Sequence, residues 1–210
     1  MSVLVVVRRR AQPGLEEQAI EEMMRRVADR SRNDRRSRLV WVFQAVDDPA
    51  QLLYTGVWPS IADYWQRQQS KPAAQLDALC VGPPERYFFE RLRTVEVASL
   101  RAHAVDCTFV QLAPAEGATA ERFLLEDSHR AAQHLPGFVL HALYRGLDPP
   151  SLRFVMHGWE SLAALERFRH EVLPALVREL SVTGATVTLF AGRTRGGAAG
   201  LPHGLYTWRA

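Results

Sequence analysis

The side chains best suited to chemistry lie on two neighbouring segments in the second half of the chain. His141 and Arg145 alternate with apolar Leu143 in a segment typical of a β-strand, so all three share one face. His157 lies on the next predicted strand. A histidine is a suitable base near neutral pH, and an arginine can stabilise the anion that such a base creates. We therefore predict His141, His157 and Arg145 as catalytic residues.

This combination suits an oxidation that uses neither metal nor flavin. The base removes an acidic proton from a phenol or an activated carbon, and the electron-rich anion then reacts with dioxygen. An aromatic substrate also needs flat surfaces on which to stack. The residues predicted to bind substrate in this way are Trp159, Tyr144, Trp41, Trp58 and Trp65. Tryptophans are equally typical of a hydrophobic core, and the pattern leaves both interpretations open.

The strand pattern also leaves the surroundings of the two histidines open. Alternation assigns His141 and His157 to one face, but it does not say whether that face borders a cavity or the helices. Only a cavity would make them a substrate site. The alternative is that both are partly buried polar residues whose ring nitrogens bond to the backbone.

The elements that position these residues follow from a repeat within the chain, at an offset of 101 residues. The first copy contains Asp47, Pro49, Trp58, Ser60 and Ala62, and these recur without gaps as Asp148, Pro150, Trp159, Ser161 and Ala163. A period of this length is a whole small domain rather than a solenoid repeat. We predict two domains, at 1–97 and 105–195, followed by a flexible C-terminal tail at 196–210.

Hydrophobic patterning gives both copies the order β-α-β-β-α-β, which is the ferredoxin-like unit. The predicted strands of the first copy are Val3–Val7, Leu39–Val46, Gln51–Trp58 and Arg86–Val97. Those of the second copy are Cys107–Leu112, Phe138–Leu147, Leu152–Trp159 and Thr186–Arg193. Ser60 and Ser161 are suitable N-caps for the second helix of each copy.

Some of these strands are apolar on both faces. Val3–Val7 and Leu39–Phe43 contain no polar residue, whereas a sheet with one solvated face alternates. The face away from the helices must therefore be covered, and the sheet of the other copy has the right shape. We predict an α+β fold in which two tandem ferredoxin-like domains face each other through their antiparallel sheets. This would be a pseudo-dimeric α+β barrel with a cavity between the sheets.

Each copy also contains a strand that ends in tryptophan and continues as Trp-x-Ser into an amphipathic helix. The matching segments are Tyr54–Ser60 and Val155–Ser161. Together with the order of elements, they resemble the antibiotic biosynthesis monooxygenase domain of the dimeric α+β barrel superfamily. The resemblance covers nearly the whole chain as a tandem pair. It implies a relationship to cofactor-independent monooxygenases of aromatic polyketides and to haem-degrading oxygenases.

The resemblance also implies which residues a haem-degrading member would need. That branch uses an asparagine on the first strand and a tryptophan and a histidine on the second helix. Here the only asparagine, Asn33, falls in an arginine-rich segment, and Trp65 and His170 fall in different copies. Haem degradation is therefore the less favoured activity, and we expect no cofactor. The polyketide oxygenases of the family also rely on an asparagine, so their residues do not transfer as a set.

Comparison of the two copies favours the second as the site of chemistry. The catalytic candidates His141, Arg145 and His157 replace Val40, Gln44 and Gly56 of the first copy. The fold does not need these polar residues, because the first copy lacks them.

We therefore predict a cofactor-independent monooxygenase-like enzyme, an oxidoreductase that oxidises a small aromatic or polyketide-type substrate with O2. Its site would lie in the cavity between the sheets. Two other functions would use the same apolar cavity, since a fold hosts several functions. One is a polyketide cyclase, and the other is a non-catalytic barrel that binds a small ligand.

Composition argues against several other classes. Cys80 and Cys107 are the only cysteines and no metal-ligand spacing is present, so we expect no metal. The arginine-rich segment 25–38 has no interleaved aromatic residue, so we interpret it as a solvated loop and expect no nucleic-acid partner. Neither a membrane-spanning run nor a secretory signal is present, so we expect a cytoplasmic protein with no membrane partner. Whether two chains associate as a homodimer stays open.

Overall fold

The computed structural model describes residues 2–33, 38–70, 73–96 and 102–197. Eight β-strands and six α-helices lie within these ranges, so the chain is a mixed α+β protein. The described residues form two compact units. The first contains those up to Glu90 together with Thr194–Gly197, and the second contains Arg91–Arg193. Most of the predicted tail, 198–210, lies outside the described residues.

The first unit carries an antiparallel sheet with helices between its strands. Its elements are β1 (Val3–Arg10), α1 (Glu16–Asn33), β2 (Arg38–Ala45), β3 (Gln51–Trp58), α2 (Ile61–Ser70), α3 (Ala74–Ala78) and the start of β4 (Glu85–Glu96). The strands lie in the order β4-β1-β3-β2.

The second unit has the corresponding organisation. It contains the end of β4, then β5 (Ala104–Gln111), α4 (Gly117–Gln133), β6 (Phe138–Gly146), β7 (Leu152–Trp159), α5 (Leu162–Glu171), α6 (Leu173–Val182) and most of β8 (Thr186–Gly197). Its strands lie in the order β8-β5-β7-β6, and every neighbouring pair is antiparallel.

The register of the strands agrees between the units at the 101-residue offset. Val40 of β2 lies opposite Gly56 of β3, and His141 of β6 lies opposite His157 of β7. The ladder between β1 and β3 matches that between β5 and β7 in the same way. Positions that correspond in sequence therefore occupy corresponding places in the two sheets.

Helices cover one face of each sheet and bury an apolar layer there. In the first unit this layer joins residues of α1 and α3 to β2 and β3, including Ile20, Met23, Val27, Val42, Leu52 and Leu76. In the second unit it joins α4 and α6 to β5, β6 and β7, including Val110, Leu124, Leu143, Val155 and Leu180. Three buried polar residues, Asp106, His141 and His157, interrupt the apolar layer of the second unit.

The arginine-rich segment is partly helical, so the expected loop is wrong for its first part. α1 continues through Arg25 to Asn33. Arg25 binds Glu22 and Asp29, which lie three and four residues away on the same helix. Pairs at this spacing stabilise a helix, and they extend α1 beyond its apolar residues.

The second helix predicted for the second copy, which begins after Ser161, is in fact two helices. α5 ends at Glu171, and α6 begins at Leu173 with Pro174 in its first turn. Proline cannot donate the backbone hydrogen bond that a continuous helix requires, but it is tolerated in a first turn. Ser161 caps α5 as predicted, since its hydroxyl accepts a bond of 3.2 Å from the Ala164 amide. No described helix is both long and apolar enough to cross a membrane.

Candidate functional site

Three polar side chains lie in a row across neighbouring strands of the second unit. His141 on β6 lies opposite His157 on β7, and His157 lies opposite Asp106 on β5. The two imidazoles are in contact, with 3.1 Å between His141 Nδ1 and His157 Nε2. All three residues are buried, with exposed fractions of 0%, 2% and 0% for His141, His157 and Asp106. The apolar layer under the helices is therefore interrupted by a continuous polar group.

This row lies on the helix-covered face of the sheet. The ring of Phe168 on α5 is 4.9 Å from that of His157, and the ring of His129 on α4 is 5.3 Å from that of His141, between centroids. The sequence left open whether this face borders a cavity or the helices. In the structure this face packs against the helices. Any substrate of His141 would therefore lie between the sheet and α4 or α5.

The hydrogen bonds of the row are incomplete among the described residues. Thr108 Oγ1 donates to Asp106 Oδ2 over 2.9 Å. His157 Nδ1 lies 3.7 Å from the same oxygen, which is too long for a hydrogen bond. His141 Nε2 and Asp106 Oδ1 are buried without a hydrogen-bond partner. Buried polar atoms are nearly always bonded in folded proteins, so these atoms mark an unusual place.

Two histidines of this cluster, His141 and His129, have lowered pKa values. Burial, reinforced by electrostatic repulsion from the nearby side chains of His157, His129 and Arg93, lowers the pKa of His141 to about 2. Burial also lowers the pKa of His129, and the positive charge of Arg93 acts in the same direction. A neutral imidazole has one donor and one acceptor nitrogen. Each ring can therefore pass a proton between its neighbours.

The hydrogen bond between the two rings can form with either nitrogen as the donor. When His141 Nδ1 donates to His157 Nε2, His141 Nε2 carries a lone pair, and this atom has no hydrogen-bond partner among the described residues. In that arrangement the row ends in an acceptor that can take up a proton.

Trp159 belongs to the same layer as His157. It is two residues further along β7 and fully buried. Its ring lies 4.9 Å from Phe168 and 5.8 Å from Phe138, between centroids. Of the residues predicted from the sequence, the structure thus brings together His141, His157 and Trp159.

Arg145 shares a face with His141 but is engaged elsewhere. Its Nη2 donates over 2.9 Å to Glu121 Oε1 on α4, and Arg153 binds the second oxygen of the same carboxylate. Burial by itself would raise the pKa of Glu121, but the bonds from Arg153 and Arg145 outweigh it, and the pKa is lowered. Arg145 is therefore part of an ion-pair cluster rather than of the histidine row.

Tyr144 lies on the opposite face of the sheet from His141. Its ring is 5.9 Å from Phe154, which is 4.9 Å from Phe109, between centroids. Burial raises the pKa of Tyr144 to about 12. The structure therefore places Tyr144 in an aromatic row that does not contact the histidines through this sheet.

The remaining predicted aromatic residues belong to the first unit. Trp58 is buried edge-on against Tyr64, with 5.4 Å between ring centroids. Trp65 on α2 is 41% exposed, and the guanidinium of Arg86 lies 5.4 Å from its ring centroid. Trp41 is half-buried on β2.

Sequence reasoning missed Asp106, Thr108 and the burial of His129. The predicted strand began at Cys107, one residue too late to include Asp106. A signal was present, because Asp106 and Thr108 replace Val5 and Val7 of the first copy. The comparison of the two copies that selected His141 and His157 would have found both.

The described ranges contain no group of three or more histidine, cysteine, aspartate or glutamate side chains placed to hold a metal ion.

No family model matches the chain, and no curated protein matches its sequence. Solved structures do match its backbone over nearly the full length. An anthrone oxidase-like protein superposes with a TM-score of 0.74 at 16% identity, covering 95% of this chain and 94% of its own. Its similarity rests on the whole arrangement of strands and helices rather than on shared residues.

Two bacterial proteins provisionally named monooxygenases are similar in the same way. The one from Fusobacterium nucleatum gives a TM-score of 0.72 at 6% identity, with 93% of each chain covered. The one from Lactobacillus acidophilus gives 0.68 at 7% identity, covering 94% of this chain and 95% of its own. These superpositions show that the chain shares its mixed α+β fold with these proteins. The activity of this chain must be argued from its site, because identity this low carries no residue across.

Proposed function

We propose that this chain is a cofactor-independent monooxygenase-like enzyme that oxidises a small aromatic or polyketide-type substrate with O2. One observation carries the proposal: the contact between buried His141 and His157, with Asp106 behind them and His141 Nε2 unpartnered. The names of the structural neighbours, anthrone oxidase-like and monooxygenase, support the reaction class.

In this proposal His141 is the base. Its Nε2 accepts the acidic proton of a phenol or of the activated carbon of an anthrone-like substrate. The Nδ1 proton can then move to His157 Nε2, and the resulting positive charge lies next to the carboxylate of Asp106. In this proposal the charge of Asp106 stabilises the cation, as a carboxylate does behind a histidine base.

The low pKa of His141 fits a site that is basic only when substrate is present. In the empty cluster a protonated His141 would be a buried positive charge, separated from Asp106 by His157 and repelled by Arg93. A substrate anion formed beside it supplies the opposite charge, and the two stabilise each other strongly in a medium of low dielectric. Proton transfer and substrate binding are thereby coupled.

The oxidation that follows balances without an external reductant. The substrate anion gives electrons to O2, one oxygen atom enters the substrate as a carbonyl, and the other leaves as water with the two hydrogens of the oxidised carbon. The protein needs only to remove a proton, hold the anion and return a proton to the departing oxygen. The His141–His157 pair can do both proton steps.

The position of the pair changes where substrate would bind. Both rings lie between the sheet and the helices of the second unit, which is one of the two positions that the sequence left open. Access to His141 Nε2 requires α4 or α5 to move outwards, with Phe168 as the side chain that covers His157. The roles predicted for Arg145 as a catalytic cation and for Tyr144 and the first-unit tryptophans as substrate contacts stay predictions.

We also propose that the two units arose by tandem duplication of a ferredoxin-like domain, with domains at 1–97 and 105–195 whose sheets face each other. The shared strand order and the shared register at the 101-residue offset support it.

The proposed activity is tested by dioxygen consumption with anthrone as substrate. We expect His141→Ala and His157→Ala to lower kcat by about 10²- to 10⁴-fold, the usual contribution of a general base. His170→Ala is the matched control, since His170 is exposed on α5 and lies away from the row. Unchanged turnover in both cluster variants, with uptake by the wild type, would show that the row is not catalytic.

The complete burial of both imidazoles also fits a purely structural role for them, so a second candidate is a barrel that binds a small ligand without catalysis. That function, or a polyketide cyclase, is preferred if no oxygen uptake occurs with anthrone or other phenols. Binding of anthrone that quenches tryptophan fluorescence without uptake would then be expected.

A further inference from the structure

The first unit contains a cavity of its own, between its sheet and its helices. It has a volume of about 40 Å³. Its lining comes from β1, β3, β4 and all three helices, and the polar members are Arg9, Arg26, Tyr54, Tyr64, Gln68 and Arg86. Several of these side chains are only half-buried, so the cavity reaches solvent. No carboxylate is among the described residues that line it.

Arg9 is the deepest charged group of this cavity. Its side chain is 5% exposed, and its Nη2 binds Asp77 Oδ1 over 2.7 Å. Its Nη1 is buried and has no hydrogen-bond partner among the described residues. A buried donor without an acceptor is costly, and more so when it is charged. An oxygen atom of a bound ligand would satisfy it.

Arg86 is held by two aromatic neighbours. Its Nε donates over 3.0 Å to the hydroxyl of Tyr64, and its guanidinium lies over the ring of Trp65. These contacts fix a side chain that would otherwise be flexible, so a second cation is already in place at the cavity. Arg9, whose charge is shared with Asp77, and Arg86 are thus two guanidinium groups at one cavity.

The fold does not need these cations. Register places Val110 of β5 where the first unit has Arg9, because each lies in the same ladder position opposite the third strand of its unit. Likewise Leu189 pairs with Thr108 where Arg86 pairs with Val7. Apolar residues therefore suffice at both positions, and the arginines of the first unit call for another explanation.

We propose that this cavity binds a small organic carboxylate, with its oxygens on Arg9 and Arg86 and a short apolar body against Val7, Met23 and Leu76. A guanidinium matches the planar geometry of a carboxylate. The volume admits only a few water-sized groups, so a body of two or three carbons fits. The site belongs to the first unit and is independent of the oxidation proposed for the second.

The test is an NMR titration of the full chain with propionate and, separately, with propionamide at constant ionic strength. The Nε–Hε signals of the arginine side chains report binding at the cavity. We expect propionate to bind with a dissociation constant on the order of 1 mM and to shift the signals of Arg9 and Arg86. Propionamide has the same shape without the charge and should bind at least tenfold more weakly.

Two matched variants distinguish binding of propionate in the cavity from a general attraction of anions to the positively charged surface. Arg86→Gln should weaken propionate binding at least tenfold, and because Arg86 is partly exposed, the fold should persist. Arg10→Gln removes the same charge from an arginine of β1 that is ion-paired with Asp48 instead. Equal weakening in both variants, equal binding of propionate and propionamide, or no binding of propionate would overturn the proposal. Inorganic phosphate is a further probe, and its binding in place of propionate would overturn the carboxylate assignment.

Discussion

His141 Nδ1 lies 3.1 Å from His157 Nε2, so the two rings share one hydrogen bond within a buried layer. One nitrogen must donate and the other must accept, and two protonated rings would bring two like charges together. The pair therefore holds at most one extra proton. The neighbouring carboxylate of Asp106 determines on which side that proton is best placed.

The stability of the protein should fall below about pH 6.5 because of His141. The unfolded state takes up a proton near the ordinary pKa of 6.5, whereas the folded state does so only near 2. The stabilisation is therefore complete above pH 6.5 and is lost as pH falls from there towards 2. Between pH 7 and pH 5 this single group should cost about 2 kcal/mol, measured by urea unfolding at each pH.

The matched variant for this prediction is His141→Phe, which keeps a ring but cannot titrate. Its free energy of unfolding should depend less steeply on pH between 7 and 5 than that of the wild type. Parallel profiles for the two proteins would mean that His141 is accessible to protons in the folded state.

Asp106→Asn should separate stability from activity. A buried carboxylate that lacks hydrogen bonds is costly to desolvate, and Asp106 Oδ1 has no hydrogen-bond partner among the described residues, so a neutral amide of the same shape should be tolerated. Thr108 can still donate to the amide oxygen. We expect the free energy of unfolding to change by less than about 1 kcal/mol, while anthrone-dependent oxygen uptake falls about 10²-fold. Reduced stability with full turnover would assign Asp106 a purely structural role.

Loss of Arg153 should lower the free energy of unfolding more than loss of Arg145, although both arginines bind Glu121. The side chain of Arg153 is 7% exposed, and it also donates to the carbonyl oxygens of Pro150 and Leu152. The side chain of Arg145 is 39% exposed. Urea unfolding should show a loss of about 3 kcal/mol for Arg153→Ala and about 1 kcal/mol for Arg145→Ala. If Arg145→Ala instead lowers kcat without lowering stability, Arg145 has the catalytic role predicted from the sequence.

Gly137 should tolerate a side chain less well than Gly14. Both have a left-handed backbone, with φ of 82° and 80°. A Cβ atom at Gly137 would lie 2.7 Å from the Cβ of Ala164, whereas nothing lies within 4 Å at Gly14. Gly14→Ala should cost about 1 kcal/mol through backbone strain alone. Gly137→Ala should cost about 2 kcal/mol more because of the overlap. Equal losses by thermal unfolding would mean that α5 gives way at Ala164.

The local sequence was sufficient to predict the bounds of a strand where a turn marks its start and a packed tryptophan marks its end. β3 and β7 have the predicted bounds, Gln51–Trp58 and Leu152–Trp159, because a proline-containing turn precedes each strand and a Trp-x-Ser pattern follows. The same hairpins bring His141 next to His157, since neighbouring strands in a short hairpin must pair. This contact follows from the chain alone.

The other contacts of the site depend on how the helices pack on the sheet, which the alternation of polar and apolar residues does not encode. Alternation along β6 places His141 and Tyr144 on opposite faces of the sheet. Only the packing of α4 and α5 decides which face the helices cover, and hence that His141 contacts His129. The pairing of Arg145 with Glu121 requires the same docking. The division of β4 after Glu90 and of β8 after Arg193 arises from long-range contacts, so the copies seen in sequence and the compact units differ at their ends.

Because the end of β8 belongs to the first unit, that unit cannot be complete until nearly the whole chain has been synthesised. Arg195, near the end of β8, donates to Gln44 Oε1 over 3.0 Å and also binds Glu17 on α1. During translation Glu17 and Gln44 leave the ribosome long before their arginine exists. These two contacts of the first unit can therefore form only after the second half of the chain has almost been made.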